Sequence, residues 1–120
     1  MAELGDPDTL DPRTALNRYA AQFRASLTDD GKMCLCGMLG AETHALPASV
    51  SEKVTEFFTQ NARWLTQVLE RHSRDGSSVR AWAFLSTLEG AMLVSRSTND
   101  LAQFDSTARW AVDAALAKSS

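Results

Sequence analysis

Cysteine is scarce in this 120-residue sequence: there are two, Cys34 and Cys36, with one residue between them. That spacing is too short for an ordinary structural disulfide, so a disulfide scaffold is excluded and reduced thiols are expected. Positive charge is also in short supply. The formal net charge of -3 offers no general attraction for phosphate backbones or anionic membranes, so direct nucleic-acid binding is not expected. No apolar run approaches the roughly 20 residues that cross a bilayer. The N-terminus is acidic where a signal peptide would be basic and then apolar, so a cytoplasmic location is expected. The sequence has no glycine-rich phosphate loop, nucleophile elbow, metalloprotease helix motif or pair of carboxylates on an apolar face, and an enzyme is not expected. Cys34, Cys36, His44 and His72 match no zinc-ligand spacing, so neither a metal nor another cofactor is expected.

Strand alternation and internal repeats are absent too, and what remains is helical periodicity in a chain long enough for one domain. Residues 1–10 carry turn signals without periodicity and read as a flexible lead-in, with the domain occupying residues 11–120. Asp11 can cap a helix that begins at Pro12, along which Leu16, Tyr19, Ala20, Phe23 and Leu27 form one stripe. Asp29, Asp30 and Gly31 end it. Residues 32–46, apolar nearly all round at their start, read as a short buried helix that Pro47 stops. Ser49 and Glu52 form a capping box at the head of a long helix reaching about residue 74. Its stripe contains Val50, Val54, Phe57, Phe58, Asn61, Leu65, Val68, Leu69 and His72. A turn at residues 75–78 leads to a helix over residues 79–97, and Asp100 with Gln103 opens a last one. The expectation is an all-α fold of about five helices.

The last two helices carry more apolar surface than one subunit can bury. Trp82, Leu85, Met92 and Leu93 point to one side of the first of them, while Phe84, Leu88 and Val94 point to others. Ala83, Thr87, Gly90 and Ala91 add a strip of small residues that lets another helix approach closely. With Phe104, Ala108 and Ala111 of the final helix, that strip is the expected interface of a homodimer in which two helices from each subunit form a four-helix bundle.

The stretches KMCLCGMLGAE, FFTQNARWLTQVL and LEGAMLVSR, followed by DLAQFD, come in this order and at suitable spacing. Together they resemble the C-terminal ligand-binding and dimerisation half of TetR-family transcriptional repressors, from about Asp11 onward. The resemblance implies an orthogonal, triangular ligand-binding bundle, a small-molecule effector and a homodimer. It also implies an N-terminal helix-turn-helix, and the few residues before Asp11 depart from the family there. The expectation is a domain that pairs and senses but does not itself touch DNA.

The resemblance would put the pocket among the first helix, the cysteine segment and the long helix, and the residues point to the same place. Asn61 is the one amide on the long helix's apolar stripe, and a buried amide needs a partner from the protein or from a ligand. The candidate lining is Phe23, Cys36, Phe58, Asn61, Trp64, Leu65, Trp82 and Met92, which suits an apolar or aromatic effector. For each of them taken singly, core packing is the commoner role. Two other readings compete: a helical homodimer whose interior is filled, and a sensor of oxidants or electrophiles at Cys34 and Cys36. Free cysteine, though, is usually an inert small hydrophobe. Glu89, an acid in an apolar stretch, can meet a polar ligand group or pair with Arg96 or Arg109.

Overall fold

In the computed structural model, residues 4–28, 43–73 and 75–118 are described, and they contain α-helices and turns but no strand. The helices are α1 (Pro12–Thr28), α2 (Ala48–His72), α3 (Ser77–Thr98) and α4 (Leu101–Leu116), with a single 3-10 turn at Thr43–Ala45. Most of the buried helix expected over residues 32–46, with Cys34 and Cys36, lies outside the described residues.

Local chemistry sets the helix ends. The Asp11 carboxylate accepts from the Thr14 backbone N–H at 3.1 Å, and Pro12 follows where its missing N–H costs nothing. At α4 the Asp100 carboxylate accepts from the Gln103 N–H at 3.2 Å. The capping box expected at α2 does not form, because the helix starts at Ala48 and Ser49 is already inside it. Pro47, extended at φ -56° and ψ 147°, takes the cap position, and its carbonyl accepts from Val50 and Ser51 at 3.0 and 3.1 Å. The helix ends at His72, where Ser73 turns extended. Gly76 (φ 68°) and Asn99 (φ 55°) supply the left-handed residues that flank α3. Asn99 and Asp100 alone separate α3 from α4, so the pair forms a tight antiparallel hairpin.

Helix α3 is the hub and packs against each of the other three helices, most extensively α4 and then α2. Its inner side buries Ala81, Phe84, Leu85, Leu88, Ala91, Met92 and Ser95. Facing it are Leu16, Tyr19 and Phe23 of α1, Leu65, Val68 and Leu69 of α2, and Phe104, Ala111 and Val112 of α4. Two ion pairs, Arg13–Asp113 and Arg24–Asp105, both at 2.9 Å, tie α1 to α4 at the surface. Exposed pairs of this kind contribute little to stability. No helix among the described residues is long and apolar enough to cross a membrane.

Residues 4–10 correct the expectation of a flexible lead-in. Leu4 is 2% exposed and belongs to the core. The Gly5 carbonyl accepts from the Trp64 indole N–H at 3.2 Å, and Arg71 donates to the carbonyls of Pro7 and Leu10. Turn-rich composition therefore marked a non-helical strap, held by side chains of α2, rather than a loose tail. Leu4→Ala should lower unfolding stability by about 2 kcal/mol or more, as truncation of a buried leucine does. A urea titration reads this directly, and an unchanged midpoint would remove the strap from the cooperative unit.

Candidate functional site

The buried amide on α2 has its partners inside the protein. Asn61 is 2% exposed; its side-chain oxygen accepts from the Tyr19 hydroxyl at 2.7 Å, and its NH2 donates to the Phe57 carbonyl at 2.6 Å. Tyr19 bridges α1 to α2 and stands among aromatic rings, with centroids 5.3 Å from Phe23, 6.2 Å from Trp64 and 6.1 Å from Phe84. Of the candidate lining, the structure gathers Phe23, Asn61 and Trp64 around this tyrosine, with Leu65 and Met92 in the same core. Phe58 is half-buried and meets Phe57 edge-on at 5.5 Å. Trp82 stands apart: it is 43% exposed and lines an open groove between α2 and α3 with Ala62, Arg63, Thr66 and Ser78. Cys36, and with it Cys34, lies outside the described residues. The sequence reading missed Tyr19 as the partner of Asn61, because the hydroxyl and the amide are 42 residues apart and only the α1–α2 crossing joins them.

The expected interface residues divide into two groups. Ala91, Phe104, Ala108 and Ala111 are buried within the subunit's own core, Phe104 and Ala108 beside Ala20 and Arg24 of α1. Ala83, Thr87 and Gly90 face outward, and a Cβ placed on Gly90 would meet nothing within 4 Å. Val79 and Val94 lie on the same stripe at helical spacing, 74% and 49% exposed. On α4, Trp110 is 65% exposed and shares a face with Gln103, Thr107 and Ala114. Beside these residues is a shallow groove of about 110 Å³ lined by Arg80, Ala83, Phe84, Thr87, Trp110 and Ala111, with Ala114 and Ala115. The side-chain oxygen of Gln103 is shielded from solvent and has no hydrogen-bond partner among the described residues. Trp110 was legible in principle, since it falls off the stripe of Phe104, Ala108 and Ala111 that the core uses.

Glu89 is the second anomaly. Both of its carboxylate oxygens are shielded from solvent without a hydrogen-bond partner among the described residues, and neither Arg96 nor Arg109 pairs with it in the subunit. Burial disfavours the charged form, pushing its pKa from the ordinary 4.5 to about 7. No group of three or more metal-ligating side chains occurs among the described residues.

Compared with known protein families, residues 12–110 match the model described as the C-terminal domain of LmrA/YxaF-like transcriptional regulators. Among curated proteins nothing matches the chain. Nothing among solved structures matches it either.

Two outcomes follow from the buried polar groups. Tyr19→Phe should destabilise the domain by about 1–3 kcal/mol, because it leaves the Asn61 oxygen buried and unpaired; chemical denaturation reads this, and no change would mean that water replaces the hydroxyl. Glu89 holds a proton to higher pH in the folded chain than in the unfolded one. Its contribution to stability is therefore fully present below about pH 4.5 and is lost as pH rises through about 7. Glu89→Gln should remove that decline and melt above the parent at alkaline pH; parallel melting curves across the range would refute the assignment.

Proposed function

This chain belongs to the family of C-terminal domains of LmrA/YxaF-like, TetR-type transcriptional regulators, and we propose that it is the effector-sensing and pairing part of such a regulator. The single observation that carries the pairing half is the uncovered apolar face of the α3–α4 hairpin. Val79, Ala83, Gly90 and Val94 on one helix and Trp110 on the other form a ridge and a groove, left open by the described residues of the subunit. Exposed aromatic and aliphatic side chains beside small ones suit a self-complementary two-fold contact, in which the ridge of one copy enters the groove of the other.

The sensing half rests on the junction of α1 with the first half of α2. There Tyr19 and Asn61 supply a hydroxyl and an amide within aromatic surroundings, and the half-buried Phe57 and Phe58 leave apolar surface available. A small apolar or aromatic molecule fits such a wall, with the Tyr19–Asn61 pair reorienting to meet its polar atoms. Binding that favours one position of α2 over another would, in a regulator bearing DNA-reading heads on a paired core, change the spacing of those heads. The family assignment makes this a regulatory domain; its effector and its dimer are the proposal.

Gly90→Arg tests the pairing. The position is exposed and helical and a side chain there meets nothing, so the subunit should fold at least as well as before. Light scattering should give twice the 13.1 kDa subunit mass for the parent and a single subunit for the variant; equal masses for the two would end the four-helix-bundle reading. A thermal-shift screen of apolar and aromatic molecules tests the sensing, because a ligand at about 100 times its Kd adds roughly 2.7 kcal/mol to the folded state. A screen in which no compound raises the melting temperature counts against an effector.

A further inference from the structure

The unused group in this fold is Glu89. On α3, Ser78, Trp82 and Glu89 follow one another at helical spacing, and Ser78 and Trp82 line the groove against α2. Glu89 is thus on the flank of α3 that faces α2, well round the helix from the Ala83–Thr87–Gly90 face. A partner subunit docked on that outer face would leave it unpaired. The short link between the two helices makes them antiparallel. Trp82 shares that groove with Thr59, Ala62, Arg63, Thr66, Gln67 and Glu70 of α2. Seven residues further along α3, about 10 Å at helical rise, Glu89 comes level with the first half of α2, which carries the half-buried Phe57 and Phe58.

Two facts meet there: a carboxylate with both oxygens withdrawn from water and without a partner among the described residues, and half-buried aromatic surface on the neighbouring helix. A buried carboxylate left in this state is unfavourable, and an ammonium relieves it by giving the oxygens charge-assisted hydrogen bonds. An apolar or aromatic body attached to that ammonium meets the surface beside it, where a ring face also attracts a cation. We propose that Glu89 is the recognition group for an organic cation, an ammonium carried on an aromatic or apolar body, bound between the second half of α3 and the first half of α2. This rests on the effector-sensing reading and adds the chemical class of the effector.

The test compares two probes of nearly the same shape, 1-naphthylmethylamine, protonated at neutral pH, and the uncharged 1-naphthylmethanol. Calorimetric titration of the intact chain at about pH 7 should show the amine binding about tenfold more tightly than the alcohol. Because burial keeps Glu89 partly protonated at this pH, the amine should expel that fraction of a proton on binding, so its heat should vary with the ionisation enthalpy of the buffer; the heat of the alcohol should not. Glu89→Gln, with unchanged helical content, should bring the two affinities together and abolish the proton release while leaving binding of the alcohol in place. Equal affinities in the parent, or a preference for the amine that survives in Glu89→Gln, would overturn the inference and leave the effector reading intact. Binding of neither probe at about 1 mM would also overturn it, and the effector reading would then be decided by the thermal-shift screen alone.

Discussion

Because α3 carries apolar side chains round most of its circumference, no single neighbour can cover it, and the placement of the other helices follows from that. Its inner side takes Leu85, Leu88 and Met92 into a core shared with α1, α2 and α4. An ordinary surface helix would turn charge outward on the remaining arc. Here Val79, Ala83, Gly90 and Val94 occupy it. The tight α3–α4 link sets Trp110 across a shallow groove from that arc, so the hairpin gathers exposed apolar side chains on one side, with Arg80 at the groove's wall. One helix thereby organises both the subunit core and the surface available for pairing.

The division of labour among small residues follows the same geometry. Ala91 and Ala111 are buried where α3 and α4 pack within the subunit and Ala108 lies beside α1, whereas Ala83 and Gly90 keep the outer face low. A linear strip of small residues in a sequence does not distinguish these two uses. A helix with two partners needs small residues toward each, and only the rotation of α3 between α2 and α4 separates them. Hence the strip of residues 83, 87, 90 and 91 read as one surface, and the structure divides it: Ala91 turns into the core while Ala83, Thr87 and Gly90 face outward.

The all-helical class, the caps at Asp11 and Asp100, and the stripes of α1, α2 and α4 were legible because they depend on neighbours a few residues apart. The strap over residues 4–10 was not legible, since it is held by Trp64 and Arg71 from a helix about sixty residues away. The same holds for the candidate site: Asn61 identified itself as an amide among apolar residues, but its partner Tyr19 read only as one more core aromatic. Trp82 shows the converse failure, because helical spacing put it beside Leu85 and Met92 and its large ring nevertheless turned outward.

Asn61 and Glu89 are both polar groups taken out of water in a largely apolar interior, yet the fold treats them differently. Asn61 receives a hydroxyl from α1 and gives its hydrogens to its own helix, so the amide is satisfied whether or not anything binds. That pairing stiffens the α1–α2 crossing and makes it a structural joint first. Glu89 receives nothing from the described residues and responds by holding its proton to about pH 7. A residue that served stability alone would be better replaced there by an uncharged side chain of the same shape. Retaining an acid at an unsatisfied position is therefore an argument from energetics for a role that the isolated subunit does not complete. The proposed recognition group thus sits on α3, the helix that also carries the proposed pairing surface.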